Sequence, residues 1–166
     1  MSLNTQKVNA INKLEINKSL FIKNYSWYKK YIDYINSSNC QNKSLIIFLL
    51  IIEKMNRGDL INILLEKTLL LILPSLVKSL NLSIGHFQIK YSFLRKYAPI
   101  VNIKNLFDLN YCINVIDNFL RTYKHLSNSE KIKLFHSGDP SSKTCSAMVY
   151  VELYKWYVDY YSLETE

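Results

Sequence analysis

The feature that most constrains this chain is the run from Leu45 to Ile52, eight apolar residues closed by Glu53. Eight residues fall far short of the ~20 that a helix needs to span a bilayer. A run apolar on every side must instead be enclosed by other parts of the protein. It predicts a buried helix over about Ser44 to Asn56, with Ser44 as N-cap. At 166 residues, 49% of them apolar, the chain can fold as one domain and bury a substantial core round such a helix.

The covering surfaces also read as helical. Tyr28, Tyr31, Ile32 and Ile35 fall at helical spacing within Tyr25 to Ile35, and Asn36 to Ser44 is a polar break. Asp59 is expected to cap a long segment reaching about Ser79, interrupted near Pro74. Ser83 is expected to cap a further helix through about Lys96, ended by Pro99. Another runs from Asp108 to about His125. Ser127-Asn128-Ser129-Glu130 has the form of a capping box, opening a helix that stops before Gly138. The last covers about Lys143 to Tyr161, with Tyr150, Tyr154, Tyr157 and Tyr161 on one stripe that serves either as core or as a sugar platform. No alternating pattern of useful length marks a strand, although a short hairpin around Ala98 to Asn105 stays open. The expected class is mainly α with little or no β. Residues 1–43 would form a tail and first helix packing on a domain of residues 44–162, one structural domain overall.

A net charge of +8 suits nucleic acid, an anionic membrane or an acidic polymer such as cell-wall glycan. Among the lysines only Lys29 and Lys30 are adjacent, and no nucleic-acid-binding signature accompanies them, so a nucleic-acid partner is not expected. Cys40, Cys112 and Cys145 are odd in number and far apart, which defines no disulfide framework and leaves one bridge open. His86, His125 and His136 lack ligand spacing, so neither a metal nor a cofactor is expected. The first twenty residues contain no signal-peptide core, and the chain shows no transmembrane segment.

Three glycines punctuate the chain, and each sits among polar residues: Gly58 after Glu53 and Arg57, Gly85 within Ser83 to Gln88, and Gly138 within Phe135 to Asp139. Glu53 is the residue to explain. An apolar surround raises a carboxyl pKa and keeps a proton ready for donation. Alternatively Glu53 faces solvent at the helix end, or pairs with Lys54 or Arg57. Ser83-Ile84-Gly85-His86-Phe87-Gln88 would offer free backbone N–H groups, a glycine permitting close approach and a two-way amide, suited to an N-acetyl sugar. Its plainer reading is a capped helix with Gln88 on the surface. His136 and Ser137 stand at a helix end, either facing ligand or flanking a glycine C-cap.

Taken in order, Leu45 to Glu53, Ser83 to Gln88, Phe135 to Gly138 and Ser146 to Tyr157 resemble the lysozyme-like superfamily, specifically bacterial lytic transglycosylases. That family's pattern is an apolar helix ending in a catalytic Glu, then Ser-x-Gly-x-x-Gln, a Tyr-Asn-x-Gly-like turn and a closing helix. Cys112 to Ile116 resembles the helix that intervenes. The likeness covers residues 44 to 160. Here the interval from Glu53 to Gln88 is longer than in the commonest members, and Phe135-His136 stands where the family has Tyr-Asn. Arg57 and Glu66 resemble residues of a divergent bacterial branch.

The resemblance implies a lysozyme-like helical fold and a peptidoglycan-cleaving glycosidase acting between N-acetylmuramic acid and N-acetylglucosamine. Glu53 would be the general acid/base; Ser83, Gln88, His136 and Ser137 would bind glycan; Arg57, Glu66 and Gly85 would support them. Glu66 would orient Arg57 or a neighbouring backbone. If exported, such a protein would work in the periplasm or cell envelope. The alternative is an inactive lysozyme-like module that binds glycan or a protein partner.

Overall fold

The computed structural model describes residues 3–57 and 60–162, with side chains for 13–56 and 62–161. Gly58 and Asp59, the expected cap among them, and the Arg57 side chain lie outside the described residues. The α-helices in chain order are α1 (Leu3–Trp27), α2 (Lys29–Ser37), α3 (Lys43–Arg57), α4 (Leu60–Ile72), α5 (Pro74–Ser79), α6 (Tyr91–Tyr97), α7 (Leu109–Thr122), α8 (Asn128–Ser137) and α9 (Cys145–Ser162), with a 3-10 turn at Ile103–Phe107. Among the described residues there is no strand, only an isolated antiparallel bridge between Ile84 and Ile89. Among the described residues no helix is long and apolar enough to cross a membrane. By packing, the chain divides into two compact units: Tyr28–Thr122, and Met1–Trp27 with Tyr123–Glu166.

In the first unit every residue of the apolar run in α3 is buried. Ile32 and Ile35 of α2 and the apolar side of α7, with Ile113, Ile116 and Leu120, supply cover. The α4–α5 break falls at Leu73, just before Pro74, which occupies the first turn of α5. Proline disfavours helical backbone in the residue before it and is tolerated at a helix start. Asp108 opens α7 by accepting a hydrogen bond from the Tyr111 amide at 3.0 Å.

The helix expected from Ser83 begins instead at Tyr91. Residues 84–89 form a tight loop in which Ile84 and Ile89 exchange backbone hydrogen bonds of 3.2 and 2.9 Å. Gly85 and Gln88 both take positive φ, at 84° and 48°, which no helix accommodates. Burial of Ile84, Phe87 and Ile89 fixes the loop to the core. The glycine serves a close approach, but of protein to protein: a Cβ on Gly85 would stand 1.9 Å from the Leu106 carbonyl oxygen. That oxygen accepts the His86 amide at 3.3 Å.

The second unit joins α1, α8 and α9. Ser127 and Glu130 close the expected capping box on α8, and Gly138 ends that helix in the left-handed conformation with φ 77°. The tyrosine stripe of α9 is partly core: Tyr154 and Tyr157 are buried, Tyr157 lies 5.2 Å from Phe21, and Tyr161 stacks on Tyr25 at 4.1 Å. Trp156 meets Phe21 edge-on at 6.0 Å. All three cysteines are free.

The two positive-φ glycines differ in one respect that denaturation will read. Gly138 has open space around it, so Gly138→Ala should cost only the ~1–2 kcal/mol of a left-handed alanine. Gly85→Ala adds a backbone collision and should cost on the order of 3–5 kcal/mol. Equal losses in urea unfolding would contradict the close approach at Leu106.

Candidate functional site

Glu53 sits one turn before the end of α3, on the helical line that carries Ile46, Leu49 and Leu50, all fully buried. Its side chain is largely buried, and among the described residues none hydrogen-bonds or pairs with its carboxylate. Burial raises the carboxyl pKa from an ordinary 4.5 to about 7. Removing a carboxylate from water without a compensating partner disfavours the ionised form. The group therefore holds a proton to near neutrality.

Lys54, the next residue, does not pair with Glu53. It is buried, and its Nζ lies 3.2 Å from His86 Nδ1 and 5.2 Å from the centre of the Tyr28 ring. His86 Nε2 lies 3.0 Å from the Phe107 carbonyl oxygen. A carbonyl only accepts, so Nε2 carries the hydrogen and Nδ1 accepts from the ammonium. Near this relay, Cys112 donates to the Leu106 carbonyl at 3.3 Å, and burial pushes its thiol up to about 12. Such a thiol is protonated and unreactive.

Glu66, Gly85 and Gln88 are brought together. Glu66 Oε2 accepts the Gly85 amide at 3.1 Å, and its Oε1 accepts Gln88 Nε2 at 3.0 Å. The same Nε2 donates to the Gly85 carbonyl at 3.2 Å. The Gln88 amide nitrogen is thus turned inward, and the carboxylate fastens the 84–89 loop to α4. Glu66 holds a neighbouring backbone. Ser83 is half-buried just before the loop, and among the described residues no hydrogen bond reaches its hydroxyl. None links Glu53 to the Glu66 cluster either.

His136 and Ser137 belong to the other unit. His136 Nε2 lies 3.2 Å from Ser146 Oγ, and the ring meets Tyr150 edge-on at 4.6 Å. Partial burial there lowers its pKa. Ser137 Oγ donates to the Lys133 carbonyl at 2.7 Å, completing the end of α8.

Sequence reasoning missed one recess. Asn110, Asn114, Asp117 and Arg121 repeat at helical spacing along α7 and face Tyr34 and the Ser37–Cys40 turn across a recess of about 390 Å³. Asp117 is buried, bonded to Arg121 Nε at 2.8 Å and to the Gln41 amide at 3.0 Å. The Asp117–Arg121 spacing was the visible signal. Among the described residues no group of His, Cys, Asp and Glu is placed to hold a metal ion.

Comparison with protein-family models, with curated proteins and with solved structures gives no match.

The buried carboxyl makes a stability prediction whose sign is opposite to that of a salt-bridged acid. The folded state holds the Glu53 proton more tightly than the unfolded chain. Its burial therefore costs nothing below pH ~4.5, costs progressively more as pH rises, and reaches its full cost above pH ~7. Glu53→Gln removes that cost. It should match wild type near pH 4 and exceed it near pH 8 by up to roughly 3 kcal/mol, at about 1.4 kcal/mol per pKa unit. Denaturation curves of the two proteins at both pH values test this; a variant less stable at alkaline pH would refute the unpaired carboxyl.

Proposed function

We propose that this chain is a lysozyme-like glycosidase that cleaves the β-1,4 bond between N-acetylmuramic acid and N-acetylglucosamine in peptidoglycan, with Glu53 as general acid/base. One observation carries the reading: a largely buried carboxyl, without a partner among the described residues, held protonated to about pH 7 at the end of a core helix. General acids are most effective when their pKa lies near the working pH. In lysozyme the general acid is likewise a glutamate whose pKa is raised by an apolar pocket.

Glu53 protonates the leaving glycosidic oxygen. As carboxylate it then takes the proton of the muramyl 6-hydroxyl, which attacks the anomeric carbon and closes a 1,6-anhydro ring. This route needs a single carboxyl, whereas other glycosidases place two on either side of the bond. Glu66 accepts hydrogen bonds from Gly85 and Gln88 on its two oxygens, which favours a positioning role over that of the second carboxyl. The Gln88 carbonyl oxygen and the Ser83 hydroxyl are left to meet sugar hydroxyl and amide groups. Ser137 has its hydroxyl committed within its own helix, which shifts the proposed glycan contacts towards the 83–88 segment. The resemblance would make Arg57 the supporting cation of this scheme.

Purified peptidoglycan tests the assignment. Glu53→Gln should lower turnover by ~10²–10⁴ while the fold persists. Wild-type products should end in 1,6-anhydro-muramic acid, one water lighter than hydrolysed ends by mass spectrometry. Glu66→Gln should lose ~1–3 kcal/mol of stability without altering product identity. Reducing-end products together with an inactive, folded Glu66→Gln protein would instead make this a two-carboxylate muramidase. Absence of cleavage by folded wild type, with retention on insoluble peptidoglycan, would leave a glycan-binding module.

A further inference from the structure

Helix α4 is apolar on its outer side as well as on the side it buries. Its one carboxylate, Glu66, faces inward to Gly85 and Gln88, and Leu70 is buried beside it. Leu64, Leu65, Leu71 and Ile72 share the opposite arc of the helix, and they are 60–75% exposed. The apolar surface continues past the break, with Leu73, Leu76 and Leu80 all exposed. A solvent-facing apolar stripe of this extent marks an interaction surface rather than ordinary surface scatter.

Charge decides between occupants. Between residues 60 and 107 Glu66 is the sole acid, while Lys67, Lys78, Lys90, Arg95, Lys96 and Lys104 are all exposed. Lys67 borders the leucine arc of α4, held at 5.3 Å over the Phe107 ring. A second copy would bring the same cations against them in a chain of net charge +8. An anionic surface with an apolar interior satisfies both features together. At thirteen residues α4 is too short to span a bilayer but long enough to lie in its interface.

We propose that the outer face of α4, extended through Leu73, Leu76 and Leu80, is a docking surface for anionic lipid membranes. The leucines enter the boundary between headgroups and acyl chains, and Lys67 of α4 and Lys78 of α5 meet the lipid phosphates. The surface is independent of Glu53 and of the glycosidase reading.

Vesicle co-sedimentation tests it with the full chain. The protein should pellet with phosphatidylcholine vesicles carrying about a third phosphatidylglycerol, much less with phosphatidylcholine alone, and less again as salt rises well above ~0.1 M. Leu71→Gln with Ile72→Gln should weaken vesicle binding by at least about tenfold, at unchanged helical ellipticity, because exposed side chains are replaced. Lys67→Gln with Lys78→Gln should weaken it on anionic vesicles only. The proposal is overturned if anionic vesicles leave the protein in solution. It is equally overturned if the Leu71/Ile72 pair binds like wild type. Light scattering that shows a dimer dissolved by the same pair, without vesicle binding, would assign the face to a second copy.

Discussion

A helix that is apolar on every side can exist in water only if something else surrounds it, and much of the Tyr28–Thr122 unit follows from that demand. Where the enclosure of α3 ends, two ionisable residues stand side by side and meet burial in opposite ways. Lys54 keeps polar company, between the His86 ring and the faces of Tyr28 and Tyr31. Glu53 has no such company among the described residues and responds by holding its proton. The same helix end thus carries a lysine with polar and aromatic neighbours and an acid whose proton is held to near neutrality.

The 84–89 loop shows how a polar motif can serve structure and site together. Gly85 admits the Leu106 carbonyl, and Glu66 holds the loop from the other side through one backbone amide and one side-chain amide. With its carboxylate directed inward, α4 is left with leucines outward. The inward carboxylate of α4 and the clasped loop are therefore two sides of one arrangement.

Much of the helical layout was legible because it rests on local chemistry. The Ser127–Glu130 box, the Gly138 stop, the break before Pro74 and the stop before Pro99 act within a few residues of themselves, and each appears where its sequence placed it. The start of α6 did not, because Ser83 resembles an N-cap while the positive φ at Gln88 is imposed by a bridge and by distant burial. Ala98 to Asn105, left open as a hairpin, runs instead into a 3-10 turn opened by the Asn102 side chain accepting the Lys104 amide. The eight apolar residues before Glu53 suggested its burial without deciding it, since a carboxyl at a helix end can equally face solvent. The partners of Lys54, Glu66 and Asp117 were not, since each depends on contacts between segments far apart in sequence.

The aromatic packing of α1 and α9 has a spectroscopic corollary. Both tryptophans of the chain, Trp27 and Trp156, lie in the unit made from its two ends, while Tyr28–Thr122 has none. Indole emission is accordingly a local reporter: Trp156, edge-on to Phe21, senses the loosening of the α1–α9 contact, and Trp27 is already 72% exposed. Far-ultraviolet ellipticity weighs the helices of both units. The two signals thus watch different parts of the molecule, and their superposition or separation during melting measures whether the units unfold as one cooperative body.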